Sequence, residues 1–411
     1  MEATFLTAIH INKVRHLKDI DIPLSSDTRK NLILTGKNGS GKTSVLNALA
    51  AHFEYILSNA YHMKEEIQES ISFNESRQKR ADNTEKGRAE KAEAQKYIRM
   101  WSEDLLHWTD GAISKCQSFE GLREKYFGGN FVLAYFGDHR KVEVTISKNI
   151  EKVNLKPVYK LSDMPSKELA KYMVNLKTTQ AFAKNEGNEA RADEIGNWFQ
   201  RFEDILQRIY GDGSVKLNFD IENFRFTITM DGREPFDFNT MSMGYAAVFD
   251  IIGDLIMRME SRHCHDLEGI ALIDEIETHL HVELQKEIVP ILTELFPNIQ
   301  FIMTTHSPFV LNSAQNAVIY DLERHMLVEN GLTNLPYEGI VEGYFGADLL
   351  SQELRKKFTK YRELAQKSAL TDEDFAEAAE LEMYLDEVPD YLALGIATEY
   401  SRLKLEFANK G

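Results

Sequence analysis

"LTGKNGSGKTSVLNAL", Leu34 to Leu49, decides how the rest of this chain is read. Its core, Gly36-Lys37-Asn38-Gly39-Ser40-Gly41-Lys42-Thr43, has the spacing of a phosphate-binding loop. Glycines let main-chain N–H groups approach a phosphate chain closely, and a helix N-terminus behind them favours negative charge. Lys42 supplies a point cation for the β- and γ-phosphates, and the Thr43 hydroxyl supplies an oxygen for Mg²⁺. Gly36, Asn38, Gly39, Ser40, Gly41, Lys42, Thr43 and Ser44 are therefore candidate nucleotide-binding residues. The flanks agree with this reading. Asn31 to Leu34 is a short apolar strand, and Ser44 to Phe53 carries helix formers such as Ala48, Leu49 and Ala50.

A second strand pattern completes such a site. Gly269-Ile270-Ala271-Leu272-Ile273 is apolar and ends in Asp274-Glu275. Delivered beside a phosphate loop, Asp274 is an oxygen ligand for Mg²⁺, and Glu275 is placed to orient and deprotonate water. Neighbouring strand residues face opposite sides, so both carboxylates reach one site only at the strand's end. Asn298 to Thr304 is a further strand, followed by Thr305-His306-Ser307-Pro308. A neutral His306 there can donate to a γ-phosphate, while a lone histidine is otherwise an ordinary structural residue. Asn239-Thr240-Met241-Ser242-Met243-Gly244-Tyr245 leads into an apolar helix, Ala246 to Ile256. Ser242 and Gly244 either open an ordinary helix or form a second anion-binding helix end. One γ-phosphate does not need two helix ends from one chain, so the second use implies another subunit's nucleotide.

The remaining sequence sets limits. The 411 residues allow a large core and two or three lobes. The net charge of −17 is the wrong sign for a broad nucleic-acid-coating face, though it leaves room for a local basic groove. No apolar run is long enough for a membrane span, and the opening residues lack the pattern of a signal peptide. Cys116 and Cys264 make neither a disulfide framework nor a metal motif, which suits a reduced, cytoplasmic protein. Phe5 to Asn12 and Ile20 to Leu24 read as a strand pair. From Asn74 to Lys96 the apolar residues are all alanines among dense charges, predicting a solvated helical excursion or a partly disordered tip without coiled-coil heptads. Phe131 to Phe136 reads as a strand, and Lys160 to Tyr210 as helical with an apolar stripe. Val215 to Asn239 alternates, with Asp231-Gly232 as a hairpin turn.

The order of phosphate loop, insertion, "MSMGY", "IALIDE", "THLH" and "TTHSP" resembles the ATP-binding-cassette ATPases of the SMC/RecF group. It is most similar to the bacterial overcoming-lysogenization-defect-like and stand-alone defence ATPases, of the Septu type. The resemblance implies an α/β fold, an ABC-type P-loop NTPase head with a mixed β-sheet lobe, a parallel-sheet core, helical insertions and a helical C-terminal tail. It divides the chain into 1–55 (first part of the head), 56–125 (helical insertion), 126–345 (remainder of the head) and 346–411 (helical acidic tail). It implies ATP and Mg²⁺, with Lys42 and Thr43 on phosphates and metal and Asp274 as second metal anchor. Glu275 becomes the catalytic base, His306 the switch, and Ser242 with Gly244 the signature that meets ATP across a dimer. Departures are plain: Met241, Met243 and Tyr245 replace the usual signature residues, and His281 stands at the D-loop aspartate. No Q-loop glutamine is evident, leaving Asp138 or His139 for that place.

Function follows as an expectation. The chain should be an ATPase that forms an ATP-sandwich dimer or higher homo-oligomer and licenses a separate effector, such as a nuclease, in antiviral defence. A RecF-like repair ATPase that binds DNA directly is an alternative, as is a scaffold that binds ATP without hydrolysis. The insertion and missing glutamine speak against a transporter subunit, so no membrane partner is expected. The acidic stretch Thr371 to Asp390 is either a solvated face or a dock for a basic partner.

Overall fold

The computed structural model describes residues 3–58, 60–109, 111–138, 140, 152–262, 266–329, 331–333, 335, 339–340, 352–367, 370–386 and 394–408. His139 and Cys264 lie outside them. The chain divides into two compact units, Met1–Asn334 and Leu335–Gly411.

The first unit opens with β1 (Leu6–Val14) and β2 (Leu17–Pro23), an antiparallel pair. β2 buries Leu17, Ile20 and Ile22 and exposes the residues between them, the pattern of a sheet with one solvated face. Next come β3 (Asn31–Thr35), buried along its whole length, and α1 (Lys42–Leu57). α2 (Ala60–Arg80) and α3 (Glu85–Thr109) form an antiparallel helical hairpin, across which Arg77 pairs with Glu90 and Glu93. The expected helical insertion of 56–125 is therefore narrower. β4 (Gly111–Cys116) returns to pair with β1, because Ala112 and Ser114 bury against α1 and the lobe.

After α4 (Phe119–Phe127) the central sheet gains β5 (Phe131–Phe136). α5 (Leu169–Asn185) and α6 (Glu189–Tyr210) follow, the latter burying Ile195, Trp198, Phe202, Leu206 and Ile209 on one stripe. β6 (Lys216–Asp220) and β7 (Arg225–Thr229) make a separate hairpin. Its turn is 221–224. Asp220 accepts main-chain N–H bonds from Glu222 and Asn223 and so closes the turn itself. Asp231-Gly232 brings Phe236 back to Ile228 for a single bridge.

α7 (Met243–Glu260), β8 (Glu268–Ile273), α8 (Val282–Leu295), β9 (Ile299–Thr304), α9 (Pro308–Ser313), β10 (Ala317–Asp321) and β11 (Met326–Val328) complete the unit. The six-stranded order is β11-β10-β3-β9-β8-β5, all parallel except the edge strand β11. α1 lies between this sheet and the β2-β1-β4 sheet, and Val45, Leu46, Leu49 and Phe53 join both in one core. Gln300, fully buried on β9, accepts from Leu6 N–H and donates to the carbonyls of Leu6 and Lys30, tying the lobe to the core sheet. The architecture is α/β: an antiparallel three-stranded lobe on a six-stranded core sheet that is parallel except for β11.

The second unit contains helices Gln352–Gln366, Asp372–Asp386 and Leu394–Ala408 around Phe358, Tyr361, Leu364, Leu403 and Phe407. The acidic stretch is thus partly internal. Its helix buries Ala378 and Leu385 and spends Asp374 on Lys367 at 2.7 Å and Asp386 on Lys404.

Candidate functional site

Because β3, β9 and β8 are adjacent and parallel, their carboxyl ends open on one edge. Leu34 pairs with Thr304 and Ile273 with Met303, so residues far apart in sequence arrive together. Such an edge is where open α/β sheets bind ligands.

The loop after β3 is shaped by backbone that only glycine adopts freely. Gly36 sits at φ 133°, and a Cβ there would stand 2.9 Å from Ser40 Oγ. Lys42 is buried and arches back, its Nζ donating to the carbonyls of Gly36 at 2.8 Å and Lys37 at 3.2 Å. Gly41 N-caps α1 without a side-chain cap, which leaves the helix's first amides facing the loop. Thr43 is exposed, Ser44 half-buried, and Asn38 and Gly39 line the open side. Lys37 Nζ pairs with Glu323 at 2.9 Å, a surface contact beyond β10.

β8 stops at Ile273, which frees Asp274 and Glu275 from strand alternation. Asp274 is buried and accepts from Thr304 Oγ1 at 2.5 Å. The same hydroxyl oxygen accepts Glu275 N–H at 2.7 Å. Glu275 takes a positive φ of 42°, a conformation that non-glycine residues keep only where surroundings enforce it. Thr304 is one enforcer. Arg140 is the other: its guanidinium donates to the carbonyls of Asp274 at 2.6 Å, Glu275, and Ile276 at 3.4 Å. Burial pulls this guanidinium below its ordinary value, against Glu277, Asp250, Asp274 and Asp138.

His306 follows β9. Its main-chain N–H donates to Glu277 Oε1 at 2.6 Å, and its Nδ1 lies 2.8 Å from the same oxygen. The Glu277 bond raises the imidazole above its usual value, against desolvation, with Glu277 and Glu275 charges adding and Lys42 opposing. Burial pushes the Glu277 carboxyl up, yet hydrogen bonds from His306 and Thr305 hold it below the usual range.

The helix end at 242–244 divides in two. Ser242 is exposed and N-caps α7 with no side-chain cap bond, so that end is open to a ligand. Gly244 is buried inward, where a Cβ would stand 3.0 Å from the His279 carbonyl oxygen. Its smallness serves close packing within its own chain. Tyr245 stacks on Tyr210 at 4.1 Å and meets His281 edge-on. His281 itself caps α8, with Nδ1 accepting from Leu284 N–H.

Reasoning from sequence missed Arg140, Glu277 and Thr304. Asp138 is exposed, and the residue that reaches the turn from that segment is Arg140. Only position signals these residues, since each lies at a strand end already bracketed by the motifs.

The arrangement suits a nucleoside triphosphate with Mg²⁺. Thr35 Oγ1 and Ser40 Oγ are buried without a protein partner, and Lys42 leans on carbonyls that a phosphate could replace. Thr43 and Asp274 are hard oxygen donors, which Mg²⁺ prefers. Among the described residues no cluster of three or more His, Cys, Asp or Glu side chains forms a metal site.

The family model described as "AAA domain, putative AbiEii toxin, Type IV TA system" matches residues 32–312. "Septu protein PtuA" of Bacillus mycoides is 43% identical over 91 residues, covering 22% of this chain and 12% of that protein. "Retron Vc95 probable ATPase" of Vibrio cholerae is 40% identical over 106 residues, covering 24% of this chain and 20% of that protein. "Septu protein PtuA" of Bacillus thuringiensis is 30% identical over 158 residues, 33% of this chain and 39% of that protein. The chain thus spans well under half the length of these relatives. A solved "SMC head domain from Thermotoga maritima" is 12% identical, covering 77% of this chain and 94% of that chain, with a TM-score of 0.35. No helix among the described residues is long and apolar enough to cross a membrane.

Proposed function

The chain belongs to this AAA-domain family, and from that premise we propose that it binds and hydrolyses ATP in a dimer that controls a separate effector in antiviral defence. The observation that supports it most is the convergence of Lys42, Asp274, Glu275 and His306 at three adjacent strand ends. Lys42 and the amides of 37–43 would hold the phosphates, and Thr43 with Asp274 would hold Mg²⁺. The metal would neutralise phosphate charge. Glu275 would take a proton from the attacking water, with its main chain fixed by Thr304 and Arg140. His306 would donate to the terminal phosphate.

Ser242 belongs to the composite part of the site. The open N-terminus of α7 would meet the nucleotide held by a second copy, which makes ATP both adhesive and timer. The defence role leans on the names of the relatives, and with it a cytoplasmic location and an effector such as a nuclease.

Phosphate release tests the enzymatic part. Glu275→Gln should bind ATP as the wild type does while kcat falls on the order of 10²–10⁴-fold. Lys42→Ala should weaken ATP binding by roughly 10- to 100-fold. A Glu275→Gln protein that hydrolyses ATP at the wild-type rate would sink the proposal.

A further inference from the structure

Glu277 has a buried carboxylate, 6% exposed, whose Oε1 accepts two bonds from His306, one from its main chain and one from its ring. Its Oε2 is buried with no partner. The ring is half-exposed, with Nε2 on the side away from Glu277. This geometry settles a proton count. An imidazole has two nitrogens, and in the neutral ring one donates while the other accepts. Here Nδ1 faces a carboxylate, which can only accept, so Nδ1 must carry a proton. A neutral ring would then present the Nε2 lone pair to the site, and a lone pair repels phosphate oxygen.

We infer that Glu277 is the positioning residue for His306, holding its Nδ1–H so that the ring meets the terminal phosphate as a cation through Nε2–H. This inference rests on the ATPase reading above and replaces the neutral donor expected from sequence with an imidazolium. The charges around the ring agree. Glu277 and Glu275 favour the cation, while burial and Lys42 oppose it. Arg140 and Glu277 attract one another electrostatically. Glu277 thereby links three segments of the site: the turn after β8, the end of β9 and the segment after β5.

The consequence for pH has a definite sign. The protonated ring persists above its ordinary titration range and is lost as pH rises through its raised value, so kcat should fall on the alkaline side. Replacing a carboxylate within about 4 Å by an amide should lower the ring's pKa by about 1 unit or more. Above both values the protonated fraction then drops about tenfold.

The test uses the full chain in two measurements. The first is the NMR titration of ¹⁵N-histidine in nucleotide-free protein, with His306 assigned by its loss in His306→Gln. The wild-type ring should titrate above the ordinary imidazole value, and Glu277→Gln should lower it. The second is the pH profile of ATP hydrolysis. Glu277→Gln should move the alkaline limb of kcat down by about one pH unit with little change in KM, and should add no further loss in a His306→Gln background. A wild-type ring titrating at or below the ordinary value would overturn the inference, and needs no folded Glu277 variant. An unmoved limb in Glu277→Gln would overturn it too, as would an equal loss with and without His306. A wild type without ATPase activity would sink the proposed function instead, while the nucleotide-free titration would still decide the charge of His306.

Discussion

Thr304 carries more of the site than any motif residue suggests. One hydroxyl donates to Asp274 and accepts from the Glu275 amide, so it sets both the carboxylate and the strained main chain next to it. Thr304→Val keeps the shape and removes both bonds. It should cost about 1–3 kcal/mol in denaturant unfolding, the penalty for leaving a buried polar group unpaired. Steady-state ATPase should fall more steeply than ATP binding, because Glu275 loses its support. Unchanged hydrolysis in a folded Thr304→Val protein would contradict that role. At this scale the sequence was legible where chemistry dictates residue type. Lys42 stands beside its phosphate loop and Asp274 and Glu275 stand at a strand end, as the spacing implied. Gly244 shows the opposite: a glycine that serves contact with another chain and one that lets its own backbone approach His279 look alike in a sequence.

The elements explain how distant residues are held in register. The turn after β8 is gripped from one side by Arg140, which reaches three successive carbonyls from the segment after β5. A planar guanidinium can serve several oxygens at once, which a lysine ammonium on a flexible stem does not reproduce. Arg140→Lys should therefore behave much like Arg140→Ala, lowering kcat by about 10²-fold through misplacement of Glu275 while ATP affinity changes little. A wild-type rate in Arg140→Lys would show that charge alone suffices. Strands and helices with strong periodicity were legible, including β3, β8, β9 and the stripe on α6. β4 was not, since Gly111–Cys116 is short and pairs with β1, whose sequence is about a hundred residues earlier. The turn between β6 and β7 was not legible for a local reason: Asp220 makes an Asx-type closure without the glycine that a hairpin usually advertises.

At the scale of the molecule, the first unit gathers the candidate phosphate-side groups at adjacent strand ends. Ser242 is an exposed helix N-cap with no side-chain cap bond, the end proposed to meet a second copy's nucleotide. The proposed effector has no signature in the motifs, because a docking surface lies outside them and physical pattern alone names no partner. The central claim is that a second copy completes the site. Its most direct measurement is the mass in solution of Glu275→Gln, by light scattering, with and without ATP and Mg²⁺. The mass should double with nucleotide, and Ser242→Arg added to the same chain should prevent the doubling while ATP still binds. A Glu275→Gln protein saturated with ATP whose mass stays unchanged would contradict the claim.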